Sequence, residues 1–168
     1  SNDFSLFRSY FTFDIPPSMW LIREDGAEIL NNLSTRIVST NGLMVHSSGP
    51  TAGDTSTAES RRHARYQPNR GLRYSSSLGF TGANLDGILK AGLFVSDENG
   101  AYFKTKGDGK LYAVILNAGV ETKEEEIMFP FSIDITKGNI YAIQIQWHGV
   151  GTVRYFAVNP TTGFYQLV

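Results

Sequence analysis

The sequence predicts an all-β protein, built as an antiparallel β-sandwich or jelly roll. About ten short segments rich in β-branched and aromatic residues are separated by turn signals roughly every 8 to 12 residues. The composition agrees, because aromatic residues make up 12% of the chain, charged residues only 18%, and 17 glycines favour turns. A chain of 168 residues can bury its own core, so we expect a single domain over residues 1–168.

The N-terminal part of the chain contains the first strand signals. Residues 4–13 are rich in Phe and Tyr, and this strand must end before Pro16-Pro17, since proline cannot donate to a β-ladder. Residues 34–40 and 43–46 flank Asn41-Gly42, the dipeptide with the strongest hairpin preference. We therefore expect a terminal strand followed by a tight hairpin.

Two segments lack the alternation of strands and are predicted to be loops. Residues 47–60 contain no large apolar side chain, so we expect a mobile loop there, long for a compact domain. Residues 121–126 are mostly acidic and are predicted to form a solvated loop. The hairpins from Gly92 onward otherwise fit a β-meander.

The clearest alternation of period two lies in residues 139–147 and assigns two faces to one strand. We expect the more apolar face to lie in the core. The two faces comprise Ile140, Ala142, Gln144 and Gln146 on one side, and Tyr141, Ile143, Ile145 and Trp147 on the other.

Charge and cysteine content exclude several classes of function. With 15 Lys and Arg against 16 Asp and Glu, the net charge is −1, unlike the basic balance of a nucleic-acid binder. The absence of cysteine excludes thiolate catalysis, zinc–thiolate sites and disulfides. No apolar run approaches membrane-spanning length. The chain begins with Ser and shows no signal peptide, so we expect a processed product, a tagged protein or a fragment.

No motif for catalysis or cofactor binding is present, so we expect neither an enzyme nor a cofactor. His46, His63 and His148 are far apart and lack metal-ligand spacing. Neither a G-x-S-x-G elbow nor a phosphate-binding loop occurs, although distant carboxylates could still converge as in glycosidases. The acidic and amide side chains of residues 97–100 and Asp108 fit either a calcium site or ordinary hairpin turns.

The best candidate for a binding surface is an arginine-rich segment. Five of the nine arginines fall within 13 residues, interleaved with aromatic and amide side chains that are common at interfaces. Its arginines fit a subunit interface, internal pairing with residues 124–126 or other acids, or a glycan or nucleic-acid contact. Trp20 fits either a core plug or an interface anchor. The candidate residues are Trp20, Arg61, Arg62, His63, Arg65, Tyr66, Gln67, Arg70 and Arg73.

The order of several segments resembles structural proteins of tailed bacteriophages and some large algal DNA viruses. The glycine-flanked hairpin and the late Tyr-x-Ile-x-Ile-x-Trp strand also resemble the concanavalin/laminin-G type of sandwich, in which calcium sometimes occupies the rim. The segments that carry the resemblance are residues 60–75, 92–103, 111–115, 140–151 and 159–163, together with residues 7–11 and 17–20.

This resemblance implies a component of the virion, such as a capsid-associated, tail or fibre protein, and not an enzyme. Its partners would be other copies of the chain, for example in a trimer, and other virion proteins. Strand 4–13 would be open to pairing with a neighbour. An alternative is a carbohydrate-binding module at the tip of a tail fibre that recognises a host surface glycan. Nucleic acid and membrane are not expected partners.

Overall fold

The computed structural model describes Ser9 and residues 14–63, 70–146 and 151–168. Within them the strand pairs form four antiparallel sheets, and the one helical element is a 3-10 turn at Leu30–Asn32. The predicted all-β class is therefore confirmed, and the sheets are compatible with a β-sandwich. The jelly-roll connectivity stays a prediction. No helix in the described ranges is long and apolar enough to cross a membrane.

Contacts divide the chain into two compact units, residues 1–66 and 67–168, and a single domain over the whole chain stays a prediction. In the first unit, a three-stranded sheet of order β2-β1-β5 accompanies the hairpin β3–β4. Its core centres on the fully buried Ile15, Ile22 and Ile37. The strands are β1 (Trp20–Glu24), β2 (Ala27–Glu28), β3 (Ile37–Thr40), β4 (Leu43–His46) and β5 (Ser56–Ser60).

The predicted hairpin is confirmed, and the predicted loop at residues 47–60 is too long. Asn41 and Gly42 connect β3 to β4 with φ angles of 52° and 77°, which these two residue types tolerate best. Residues 56–60 form β5, because their backbone pairs in register with the more apolar β1. Mobility of the remaining loop stays a prediction. Apart from Ser9, the predicted strand 4–13 lies outside the described residues.

The second unit contains two four-stranded sheets. The meander sheet has the order β10-β9-β8-β7, so the meander predicted from Gly92 onward is confirmed as far as Glu126, after which the chain continues in the other sheet. The other, which we call the β6 sheet, has the order β13-β12-β11-β6. The strands are β6 (Leu72–Leu78), β7 (Leu89–Ser96), β8 (Asn99–Thr105), β9 (Tyr112–Asn117), β10 (Val120–Glu126), β11 (Asn139–Gln146), β12 (Thr152–Val158) and β13 (Tyr165–Leu167).

Aromatic side chains from both sheets of the second unit fill one core. The Phe103 ring of the meander sheet lies 5.1 Å from that of Tyr141 and 5.3 Å from that of Tyr155, both of the β6 sheet. The Tyr155 hydroxyl crosses the core and donates to the carbonyl oxygen of Val114 at 2.5 Å. Tyr141 and Ile143 are fully buried, as the alternation of β11 predicted. Trp147 lies outside the described residues.

The acidic segment 121–126 is part of a strand and not the predicted loop. It forms most of β10, the edge of the meander sheet, because its side chains alternate between two faces as a strand requires. Lys123 and Glu125 take the core-facing side, opposite Ile115 and Ala113, yet their side chains stay 66% and 75% exposed. The glutamates on the other side of the strand form ion pairs with lysines of β8 and of the segment that follows it.

Candidate functional site

The structure describes only part of the arginine-rich segment, and its described residues fall in both units. Arg61 has a structural role, since it contacts Glu28 at 2.8 Å and donates to the carbonyl oxygen of Pro17 at 2.7 Å. Arg62, His63 and Arg70 are exposed, whereas Arg73 lies on strand β6. Three predicted site residues lie outside the described residues: Arg65, Tyr66 and Gln67.

Trp20 belongs to the core of the first unit. It is half-buried and packs against the cluster of Ile15, Ile22 and Ile37. Its Nε1 donates to the Ser9 hydroxyl at 2.8 Å. These contacts favour the core-plug interpretation, and the role of Trp20 as an interface anchor stays a prediction.

Lysines form ion pairs with the acidic strand β10. Lys104 Nζ lies 2.6 Å from Glu121 and 2.6 Å from Glu124, and Lys106 reaches Glu124 at 2.5 Å. Burial raises the pKa of Glu121, but hydrogen bonds from Lys104, Tyr102 and Lys90 outweigh it and lower that pKa to about 2. We call Lys90, Lys104, Lys106, Glu121 and Glu124 the ion-pair network.

The ion-pair network covers the outer face of the meander sheet. Beneath it the Tyr102 side chain is fully buried, stacks on Phe94 with ring centroids 5.0 Å apart, and donates to Glu121 at 2.6 Å. Burial, followed by the Glu121 carboxylate, raises the pKa of the Tyr102 hydroxyl. Gly92 faces Tyr102, and a Cβ at Gly92 would lie 2.5 Å from a backbone oxygen of β8. The outer face of the meander sheet is thus closely packed and covered by paired charges.

The outer face of the β6 sheet has the opposite character. Its central row of cross-strand neighbours is Ser75, Ala142, Phe156 and Leu167. On either side, the strand register places Arg73, Gln144 and Arg154 in one row, and Ser77, Ile140, Val158 and Tyr165 in the other. We call the five large apolar side chains of these rows the apolar face; they are Ile140, Phe156, Val158, Tyr165 and Leu167.

Solvent reaches much of this apolar face. Leu167 is 60% exposed, Ile140 42% and Tyr165 40%. Tyr165 lies across the sheet, since its hydroxyl is 2.7 Å from the Ser75 hydroxyl on the opposite edge strand. The guanidinium carbon of Arg73 lies 4.3 Å from the centre of the Tyr165 ring. A rigid aromatic ring, an arginine and aliphatic side chains therefore share one exposed sheet face.

An extended groove adjoins the apolar face. It has a volume of about 490 Å³ and shares Leu167 with that face. Its walls combine apolar side chains, among them Ile115 of the meander sheet and Val153 of the β6 sheet, with the charged Lys123, Glu125 and Arg154.

The described residues offer less for metal binding or catalysis. They contain no group of three or more His, Asp or Glu that could hold a metal ion. Asp97 and Glu98 form the turn between β7 and β8, and a hairpin turn is one of the two roles predicted for them. Asp108 accepts a hydrogen bond from the Tyr112 hydroxyl at 2.6 Å. His46 contacts the Ser56 hydroxyl at 2.7 Å, His63 is exposed, and His148 lies outside the described residues.

Comparisons with models of protein families, with curated proteins and with solved structures gave no match to this chain. Sequence reasoning placed Arg73 in the candidate site but missed Phe156 and Leu167. The sequence of β11 contains one indication of this apolar surface. Ile140 and Ala142 make the strand face that points away from the core apolar as well. A strand that is apolar on both faces is typical of a sheet covered on both sides.

Proposed function

We propose that the chain is a non-enzymatic structural component of a virus particle, of the tailed-bacteriophage type, that assembles onto the capsid or tail through protein–protein contacts. The order of its sequence segments, which resembles such proteins, supports the viral context. The observation that carries the assembly role is the exposed apolar face beside Arg73 and Arg154.

The chemistry of this face is that of a protein interface. Contiguous exposed apolar side chains mark interaction sites more often than ordinary surface. Tyr and Arg are enriched among the residues that dominate binding energy, and Tyr165 and Arg73 are already in contact here. Because the side chains stand on a hydrogen-bonded sheet, docking would order few further groups and would cost little conformational entropy.

Mass spectrometry of purified, salt-washed particles of the virus that encodes the chain tests the viral context. We expect the chain at a fixed copy number that matches the symmetry of the capsid or tail. Absence from washed particles would contradict the proposal.

A pair of matched variants tests the surface. Leu167→Asp on the apolar face should sharply lower incorporation into particles, because a carboxylate would be buried against apolar atoms. Val120→Asp is the control, since Val120 is 61% exposed but lies on β10 of the meander sheet. Equal incorporation of both variants would exclude the apolar face as the assembly surface.

Assembly with other copies, in a trimer or another cyclic oligomer, is part of the same proposal. Sedimentation of the purified chain over a wide concentration range should show a discrete oligomer. A strict monomer at the highest concentration would restrict the proposal to other virion proteins.

A carbohydrate-binding module of a tail fibre is the second candidate. The contact of Tyr165 with the Ser75 hydroxyl favours it, since an aromatic ring beside a hydroxyl suits a sugar. Against it, the Arg73 guanidinium already covers part of the Tyr165 ring. A glycan array without a hit would remove this candidate.

A further inference from the structure

Resting on the proposed assembly role, we infer that Arg73, Gln144 and Arg154 form a row that recognises carboxylate side chains of a partner protein. The partner would present these carboxylates beside apolar side chains that cover the apolar face. The partner in this inference is a different protein rather than a second copy of the chain.

The strand register builds the row. Arg73 on β6 pairs with Gln144 on β11, and Gln144 pairs with Arg154 on β12. Neighbouring strands lie roughly 4.8 Å apart, so the two arginine backbones are about 10 Å apart with the amide side chain between them. All three side chains share the outer face with Phe156, because each lies an even number of residues from the central row.

No ion pair among the described residues compensates the charge of this row, and Glu125, which lines the same groove as Arg154, is paired with Lys123 at 3.8 Å. The outward positions of β6, β11, β12 and β13 include no Asp or Glu, and none of the ion pairs among the described residues includes Arg73 or Arg154. In the meander sheet, by contrast, Lys104 has two carboxylate partners. A partner that covers the apolar face would also desolvate Arg73 and Arg154, so it must supply opposite charge or lose affinity.

Several observations select the partner class. The guanidinium group forms paired hydrogen bonds with a carboxylate or a phosphate. Two arginines are too few for a nucleic acid, whose binding depends on neutralising many phosphates. The neighbouring Phe156 and Leu167 require apolar atoms that a polyanion backbone lacks. In a second copy, Glu121, Glu124 and Glu126 are already paired with lysines, so the acidic strand β10 does not supply free carboxylates for this row.

Titration with polymers of defined chemistry tests the inference on the intact 168-residue protein. The probe is a random copolymer of glutamate and tyrosine, and the comparators are polyglutamate and polygalacturonate. We expect the copolymer to bind more tightly than either comparator, and added salt to weaken that binding. Arg154→Gln should weaken it about fivefold, and Arg73→Gln at least as much because that variant also loses the contact with Tyr165.

Lys137→Gln is the matched control, since it removes one positive charge from an exposed turn that precedes β11. If this variant weakens copolymer binding as much as Arg154→Gln, the attraction is non-specific and the inference fails. Tighter binding of polygalacturonate would assign the row to an acidic glycan instead. Failure of the wild-type protein to bind the copolymer would also overturn the inference.

The inference and the proposed function fail in different ways. If Leu167→Asp blocks incorporation into particles while Arg154→Gln does not, the carboxylate-recognising row is wrong and the assembly surface stands. If the chain is absent from particles but copolymer binding depends on both arginines, the row stands and the viral role is wrong.

Discussion

The two outer faces of the sandwich in residues 67–168 differ in whether their charged side chains form ion pairs. On the meander sheet, the lysines and glutamates of the ion-pair network neutralise one another above a buried tyrosine. On the β6 sheet, Arg73 and Arg154 stand beside exposed apolar side chains, and no acid occupies an outward position on its described strands. Among the described residues, the charges on the outer face of the meander sheet form ion pairs, whereas Arg73 and Arg154 belong to none.

The difference begins with the small residues of each sheet. Gly92 leaves room for the backbone and the Cβ of Tyr102 on β8, and long lysine and glutamate side chains cover the buried Tyr102. On the β6 sheet, Ser75, Ser77 and Ala142 leave a shallow surface, across which the Tyr165 ring lies. In this way the meander sheet buries Tyr102 beneath the partly exposed Phe94, whereas the Tyr165 ring of the β6 sheet stays 40% exposed.

The largest predicted effect comes from filling the space beside Tyr102. Gly92→Ala should lower the free energy of unfolding by about 3 kcal/mol, because the new Cβ would clash with the backbone of β8. Denaturant unfolding measures the loss. Gly138→Ala is the control, since the nearest atom to its Cβ would be the Ser77 hydroxyl oxygen at 4.0 Å. Similar losses for both variants would contradict this packing.

The ion-pair network should be sensitive to the loss of its central cation. Lys104→Met should cost about 2 kcal/mol of unfolding free energy, because Glu121 and Glu124 would remain close together without the shared lysine. Lys110→Met, which removes a lysine 49% exposed and paired with Glu126, should cost much less. Equal losses of unfolding free energy for the two variants, measured by urea unfolding, would mean that Lys104 stabilises the fold no more than an exposed lysine does.

Acid should weaken the meander sheet. A carboxylate whose pKa is lowered on folding stabilises the folded state above its ordinary pKa, here 4.5, and this stabilisation disappears as pH falls toward the folded value of about 2. We expect Glu121→Gln to remove roughly 1 kcal/mol of the stability loss between pH 5 and pH 2. Thermal unfolding across this range measures it. Glu125→Gln, at a side chain 75% exposed, should keep the wild-type slope; a flattened slope there would contradict the assignment.

The smallest effect on stability is expected on the apolar face. Leu167→Ala should change the unfolding free energy by less than about 0.5 kcal/mol, because Leu167 is 60% exposed. Leu116→Ala makes the same truncation on the outer face of the meander sheet, where Leu116 is half-buried against Tyr102, Tyr112 and Val114, and should cost about 1–2 kcal/mol. If Leu167→Ala lowers the unfolding free energy more than Leu116→Ala does, the apolar face contributes to the core and is not an open surface.

Local features of this fold could be predicted from sequence, and distant pairings could not. The Asn41-Gly42 hairpin and the alternation of β11 follow from backbone preferences and residue order. The strand at residues 121–126 was missed because the lysines that stabilise it lie on other strands. The contact of Tyr165 with Ser75 joins residues 90 positions apart, and no local pattern encodes it. Of the candidate site, therefore, only Arg73 was predicted, because it lies in the arginine-rich segment.

Lys123 and Glu125 have a consequence for aggregation. An edge strand normally offers free backbone groups to any extended chain that collides with it. On β10, the core-facing side carries this lysine and glutamate, both well exposed, so an added strand would have to bury a charged pair. Growth of the meander sheet by strand addition is thereby blocked at β10, which lets the chain reach high concentration without forming fibrils from that edge.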